Sequence, residues 1–170
     1  YVERFNYDMM GYPMPSFSGA AYGSIKAEGG SLVFTKTDNG ETYVQYKLSV
    51  PSAAMDFANY CSVFELDYKV TDTDLSYDNA PFRLDDANYI RFVKNSDGKS
   101  YSLGEKDKAV IVPGEWVNIR LETYYLNEYT EYTKIFVDGE YSVTVRSSSM
   151  SPFNSRVCIY MKRGVSTGNV

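Results

Sequence analysis

The two acids of Glu65-Leu-Asp67-Tyr-Lys69 have a spacing that could do chemistry. Alternate residues of a strand share a face, so both carboxylates point the same way. Paired carboxylates about 5–5.5 Å apart cleave glycosidic bonds, one as nucleophile and the other as proton donor. The donor must keep its proton near neutrality. Lys69, next on the same face, instead favours both acids ionised. The stretch therefore reads as a solvated strand face with partly paired charges, and the chain as not an enzyme. Histidine is absent. That removes Ser-His and Cys-His nucleophiles in their usual form and nearly all zinc and copper sites. Cys61 and Cys158 fit no metal spacing and sit in apolar stretches, YCSVFEL and RVCIYMK. They read either as buried thiols or as a disulfide between neighbouring strands.

A sugar site needs flat aromatic faces for the apolar side of the ring and planar polar groups for the hydroxyls. The polar faces of the strand-like stretches supply both. They carry Tyr43, Gln45 and Lys47; Glu65 and Asp67; Tyr89 and Arg91; Asn118, Arg120 and Glu122; and Tyr160 and Lys162. Asp67, Tyr89, Arg91, Arg120, Glu122, Tyr124 and Tyr160 make the candidate ligand-binding set. They line one face only if their strands share one sheet. The competing reading is that the tyrosines cover sheet edges and the rest is ordinary solvated surface.

The elements that must position these residues are strands. In Pro113–Val145, Val117, Ile119 and Leu121 alternate with Trp116, Asn118, Arg120 and Glu122, the period of a half-buried strand. A long tyrosine-rich turn, Tyr124 to Tyr132, is expected next, placing four tyrosines at a rim. A second strand with Ile135 and Val137 on one face follows, ending at a tight Asp138-Gly139 turn. Phe64, Leu66, Tyr68 and Val70 define the inner face of another long strand. Glu28-Gly29-Gly30, Asp38-Asn39-Gly40 and Asn95-Ser-Asp97-Gly98 read as further hairpin turns. Ala109–Val112 reads as strand, and only 51–58 has a helical flavour. About a dozen short strands with turn signals at close spacing predict an all-β sandwich or barrel.

The length of 170 residues suits one domain with a substantial core. The 17 Tyr and 9 Phe favour a pleated, half-buried surface. A net charge of -5 leaves no basic field for nucleic acid. No apolar run is long enough for a membrane span. Tyr1-Val-Glu-Arg-Phe5 reads as the middle of a strand, so the chain is expected to be a module of a larger protein.

The order of segments carries a resemblance. VERF is followed by EGGSLVF, FELDYKV, a turn with SDGK, then PGEWVNIRLE, KIFVDGE and VCIYMKRG. This order resembles the concanavalin A-like lectin/glucanase superfamily, and within it laminin-G-type modules of large secreted bacterial proteins. The resemblance spans nearly the whole chain. It implies one jelly-roll domain over residues 1–170: an all-β, two-sheet antiparallel β-sandwich. It implies a secreted or cell-surface setting, with other domains of the same chain as further partners. The function it implies is non-catalytic binding of a polysaccharide or glycan. A structural or adhesive spacer module is the alternative. Glucanases of the superfamily carry a Glu-x-Asp-x-Glu strand, and Lys69 stands at the third position here. That leaves at most a degenerate glycosidase. Lyases on this scaffold are expected to use a Tyr/His/Arg cluster, and histidine is missing. Trp116 falls where the pattern has a packing residue. Such modules often hold calcium, which takes six to eight oxygens. Glu3, Asp8, Asp72, Asp74 and Asp78 are the weak candidate ligands.

Overall fold

The computed structural model describes residues 16–18, 23–29, 31–36, 42–47, 61–71, 73, 75, 81–83, 89–127, 130–147, 156–161 and 167–169. They form β1 (Ser16–Ser18), β2 (Gly23–Glu28), β3 (Ser31–Lys36), β4 (Thr42–Lys47) and β5 (Cys61–Val70). Next come β6 (Phe82–Arg83), β7 (Tyr89–Ile90), β8 (Phe92–Lys94), β9 (Tyr101–Leu103) and β10 (Trp116–Asn127). The last are β11 (Thr130–Val137), β12 (Glu140–Ser147), β13 (Arg156–Met161) and β14 (Thr167–Asn169). One sheet has the order β12-β11-β10-β5-β14-β3-β2 and a second has β1-β4-β13-β6-β7. A ribbon of β8 and β9 stands apart from both. Every pairing is antiparallel. The chain has the two-sheet jelly-roll sandwich of the concanavalin A-like fold, as the segment order implies. No helix among the described residues is long and apolar enough to cross a membrane.

The two-residue period explains which side of the large sheet is dry. Val117, Ile119 and Leu121 of β10 and Ile135 and Val137 of β11 are all buried. They meet Tyr68 and Val70 of β5, Phe82 and Ile90 of the second sheet, and Phe92, Tyr101 and Leu103 of the ribbon in one cluster. Tyr68 packs on Phe82 at 5.8 Å, and Phe92 meets Tyr101 edge-on at 6.1 Å. Burial raises the Tyr68 hydroxyl well above the ordinary phenol range. The buried face of β10 and β11 continues past the aliphatics into a polar pair. Thr123 and Thr133 stand opposite each other and share a 2.9 Å hydrogen bond between their hydroxyls.

The ribbon ties a loop to this core. Fully buried Tyr101 donates its hydroxyl to the Thr73 carbonyl at 3.0 Å and accepts the Leu75 N–H at 3.1 Å. Asn95, at the ribbon's turn, accepts from Ser102 Oγ and from the Asp107 N–H with its amide oxygen. On the other side, Ser142 of β12 is the extra residue where the β11 register shifts between Ile135 and Phe136. That bulge turns Ser142 inward, where its hydroxyl donates to the Leu103 carbonyl at 2.6 Å.

Several turn expectations hold. β2 and β3 pair through Glu28 and Ser31 around Gly29. β8 and β9 pair around Asn95–Ser100. Asp138 and Gly139 both have positive φ, 49° and 79°, as the tight turn joining β11 to β12 requires. Three readings need correction. Asp38-Asn39-Gly40 lies outside the described residues, and the strands on either side of it do not form a hairpin: β3 lies in the seven-stranded sheet and β4 in the five-stranded one. A turn signal marks a change of direction, not the strand that the chain joins next. The tyrosine-rich stretch is not a long loop: β10 runs to Asn127 and β11 begins at Thr130, so most of its residues sit in paired strands. Ala109–Val112 is reduced to a single bridge, Ile111 to Tyr101. The helical reading of 51–58 lies outside the described residues, as does the opening strand.

Candidate functional site

The outer face of the seven-stranded sheet is built by the residues that alternate with the core. β10 contributes Trp116, Asn118, Arg120, Glu122 and Tyr124. Opposite them on β5, in register, stand Lys69, Asp67, Glu65, Val63 and Cys61. On the other flank, Phe136, Lys134 and Tyr132 of β11 face Arg120, Glu122 and Tyr124. β12 extends the same face with Tyr141, Thr144 and Arg146, opposite Phe136, Lys134 and Tyr132.

Neighbouring side chains hold one another along this strip. Asn118 Nδ2 donates to Asp67 Oδ1 at 3.1 Å. Arg120 Nη2 lies 2.8 Å from Glu122 Oε1, and the Tyr124 hydroxyl donates to Glu122 Oε2 at 2.7 Å. That acceptor pushes the Tyr124 hydroxyl above the ordinary phenol range. Tyr124 stacks on Tyr132 at 5.1 Å with 12° between the planes, and Lys134 Nζ stands 5.0 Å from its ring. Phe136 and Tyr141 meet edge-to-face at 6.0 Å. At the far end Lys69 Nζ lies 5.8 Å from the centre of the Trp116 ring.

Trp116 is the largest correction on this face. It does not pack into the core: 49% of it is exposed. The alternation already puts Trp116 with Asn118, Arg120 and Glu122, away from Val117 and Ile119. The family pattern pointed the other way, and the period was the better guide. Lys69 and Tyr132 join the site by the same rule. Cys61 is a second correction. It is exposed at the start of β5, and partial enclosure by its neighbours pushes its thiol up. It belongs to the seven-stranded sheet, whereas Cys158 belongs to β13 of the other sheet, so the two are not on neighbouring strands.

The candidate ligand set does not lie in one sheet. Asp67, Arg120, Glu122 and Tyr124 share the outer face just described. Tyr89 is on β7 and Tyr160 on β13, both in the five-stranded sheet, where Tyr160 is the register partner of Tyr43. Arg91 falls between β7 and β8. Glu65 and Asp67 share the exposed face of β5 as their spacing requires. The weak calcium candidates Glu3, Asp8, Asp72, Asp74 and Asp78 lie outside the described residues. Among the described residues, no group of three or more acids or cysteines could hold a metal ion.

No family model and no curated protein matches the chain by sequence. Solved structures match its fold. An endo-β-1,4-glucuronan lyase from the fungus Trichoderma reesei aligns with a TM-score of 0.50 at 11% identity, over 92% of this chain and 88% of that one. An alginate lyase solved with an alginate trisaccharide gives 0.49 at 10% identity, over 98% and 93%. The metal-free carbohydrate recognition domain of Emp46p gives 0.49 at 12% identity, over 86% and 82%. The likeness to the glucuronan lyase shows the class of fold, the concanavalin A-like jelly roll. It also overturns one expectation. The sequence reads as not an enzyme, yet structures of this fold include a polysaccharide lyase. The exclusion rested on a single hydrolytic pattern on one strand and on the lack of histidine. The hydrolytic pattern does not bear on an elimination reaction, and the lack of histidine does not exclude one, since its base need not be histidine.

Proposed function

We propose that this chain binds carbohydrate, a polysaccharide or glycan, along the outer face of the seven-stranded sheet. The observation that carries this is the exposed Trp116 ring, at one end of a row of planar polar groups. An indole gives a sugar ring a broad apolar platform and retains a polar edge. Asn118 with Asp67, and Arg120 with Glu122, offer fixed donors and acceptors next to it. Their mutual bonds hold them in place before a ligand arrives, which lowers the ordering cost of binding. From Trp116 to Tyr124 the strand rises about 27 Å, a length suited to several linked sugars. The jelly-roll fold shared with the glucuronan lyase supports a sugar ligand. A secreted or cell-surface setting, where many such polymers lie, belongs to the same reading.

Affinity electrophoresis in gels holding different soluble polysaccharides tests the proposal. At least one polymer should retard the protein, and Trp116→Ala should abolish the retardation while leaving the thermal melt in place. Unretarded migration across a broad panel of neutral and acidic polymers contradicts it. The same polymers, incubated with the protein and followed by ultraviolet absorbance of unsaturated ends, report any cleavage.

A further inference from the structure

We infer that the Trp116 end of this face selects acidic sugars, uronate residues in particular, through Lys69. The inference rests on the carbohydrate reading and adds the class of sugar to it. Lys69 is the register partner of Trp116 across β5 and β10, and its ammonium stands 5.8 Å from the indole centre. The cation is therefore held at the platform itself. A pyranose stacked on an indole carries its C6 substituent out past the edge of its own ring. In a neutral hexose that substituent is a hydroxymethyl group, and in a uronate it is a carboxylate. Lys69 can meet the first with a hydrogen bond between a cation and a neutral oxygen. It meets the second with a bond in which both partners are charged, the stronger kind.

The acids on the strand of Lys69 face other residues of β10. The acids nearest along β5 are Asp67 and Glu65. In register Asp67 faces Asn118, which donates to it, and Glu65 faces Arg120. Asp67 thus has a donor of its own on β10, Arg120 is paired with Glu122, and the β10 register partner of Lys69 is the aromatic ring. A sugar that displaces the ammonium from the ring face ends a cation–π contact. A uronate replaces that contact with an ion pair, and a neutral sugar does not. The molecule as a whole is acidic, with a net charge of -5. Selection must then be local, and added salt should weaken it only in part, as for a contact formed at short range.

Isothermal titration with β-1,4-linked glucuronate oligomers and with cello-oligosaccharides of equal length tests the inference. The wild-type protein should bind the glucuronate oligomer about tenfold more tightly. Lys69→Gln should bring the two sugars to within about twofold of each other. Lys69→Arg should restore the preference. Trp116→Ala should weaken both sugars together. Equal binding of the two sugars by the wild type overturns the inference and leaves the carbohydrate reading intact. A preference that survives Lys69→Gln does the same. Failure of both oligomers to bind overturns both.

Discussion

Asp97 shows how an exposed side chain shapes a turn. Its Oδ1 accepts the N–H groups of Lys99 and Ser100 at 2.8 and 2.9 Å, and Oδ2 accepts the Ser100 hydroxyl at 2.7 Å. The Ser100 hydroxyl leads in holding its carboxyl down to about 2, with the backbone N–H groups of Ser100 and Lys99 adding to it. A group whose folded value is depressed contributes stability above its unfolded value and loses it as pH falls through the folded one. The window here runs from about pH 4 down to about pH 2. Asp97→Asn should flatten this limb, so wild type and variant converge in stability toward pH 2. Urea midpoints at a series of pH values check this, and parallel curves would contradict it. At the same scale, what was legible in the sequence was side, not contact. Period two placed Trp116 and Lys69 outward. It could not show that they meet each other, because that depends on the pairing of β5 with β10 across 47 residues of chain.

The central hairpin of β10 and β11 is the element on which the site is mounted. Its inner face passes from the aliphatics to the Thr123–Thr133 pair. Thr123→Val leaves a buried hydroxyl without its partner and should cost about 1–3 kcal/mol. Replacing both threonines with valine should recover most of that loss, because the orphaned group goes as well. A double-mutant cycle by urea denaturation measures the coupling, and simple additivity would contradict it. Elements were the most legible level in the sequence. The β10 face, the Asp138-Gly139 turn and the Gly29 and Asp97-Gly98 hairpins follow from local chemistry alone. The sheet assignment of β3 and β4 does not, since at some connections of a jelly roll the chain crosses to the opposite sheet and at others, such as β2 to β3, it does not. The tyrosine-rich stretch misleads for a related reason. Tyrosine suits a paired strand as well as a loop, and stacking of Tyr124 on Tyr132 extends the hairpin almost to its tip.

For the whole molecule, the question is how the ribbon is fixed to the edge of the seven-stranded sheet. Gly104 follows β9 with φ +78, and a Cβ there would come within 2.6 Å of Val143 Cγ1 on β12. Only a residue without a side chain lets these two backbones approach, and the Ser142–Leu103 bond closes the same junction. Gly104→Ala should cost about 2–4 kcal/mol, the sum of left-handed strain and overpacking. Gly98→Ala has a similar φ of +69 with nothing within 4 Å of its Cβ, and should cost only about 1–2 kcal/mol. Urea midpoints for the pair separate the two causes, and equal losses would contradict the packing role. The fold at this scale was legible as a class. The division of candidate residues between two sheets was not, because strand order across a sandwich is set by long-range pairing.

The chain has a single tryptophan, so one signal reports on the proposed platform. In a proton–nitrogen correlation spectrum, the Trp116 indole N–H should shift progressively and saturably as a glucuronate oligomer is added. Resonances of Asn118 and Arg120 should move with it, and those of the ribbon should stay in place. A polysaccharide that retards the protein in a gel while this indole signal stays unmoved would contradict a binding site on the outer face of β10 and β5.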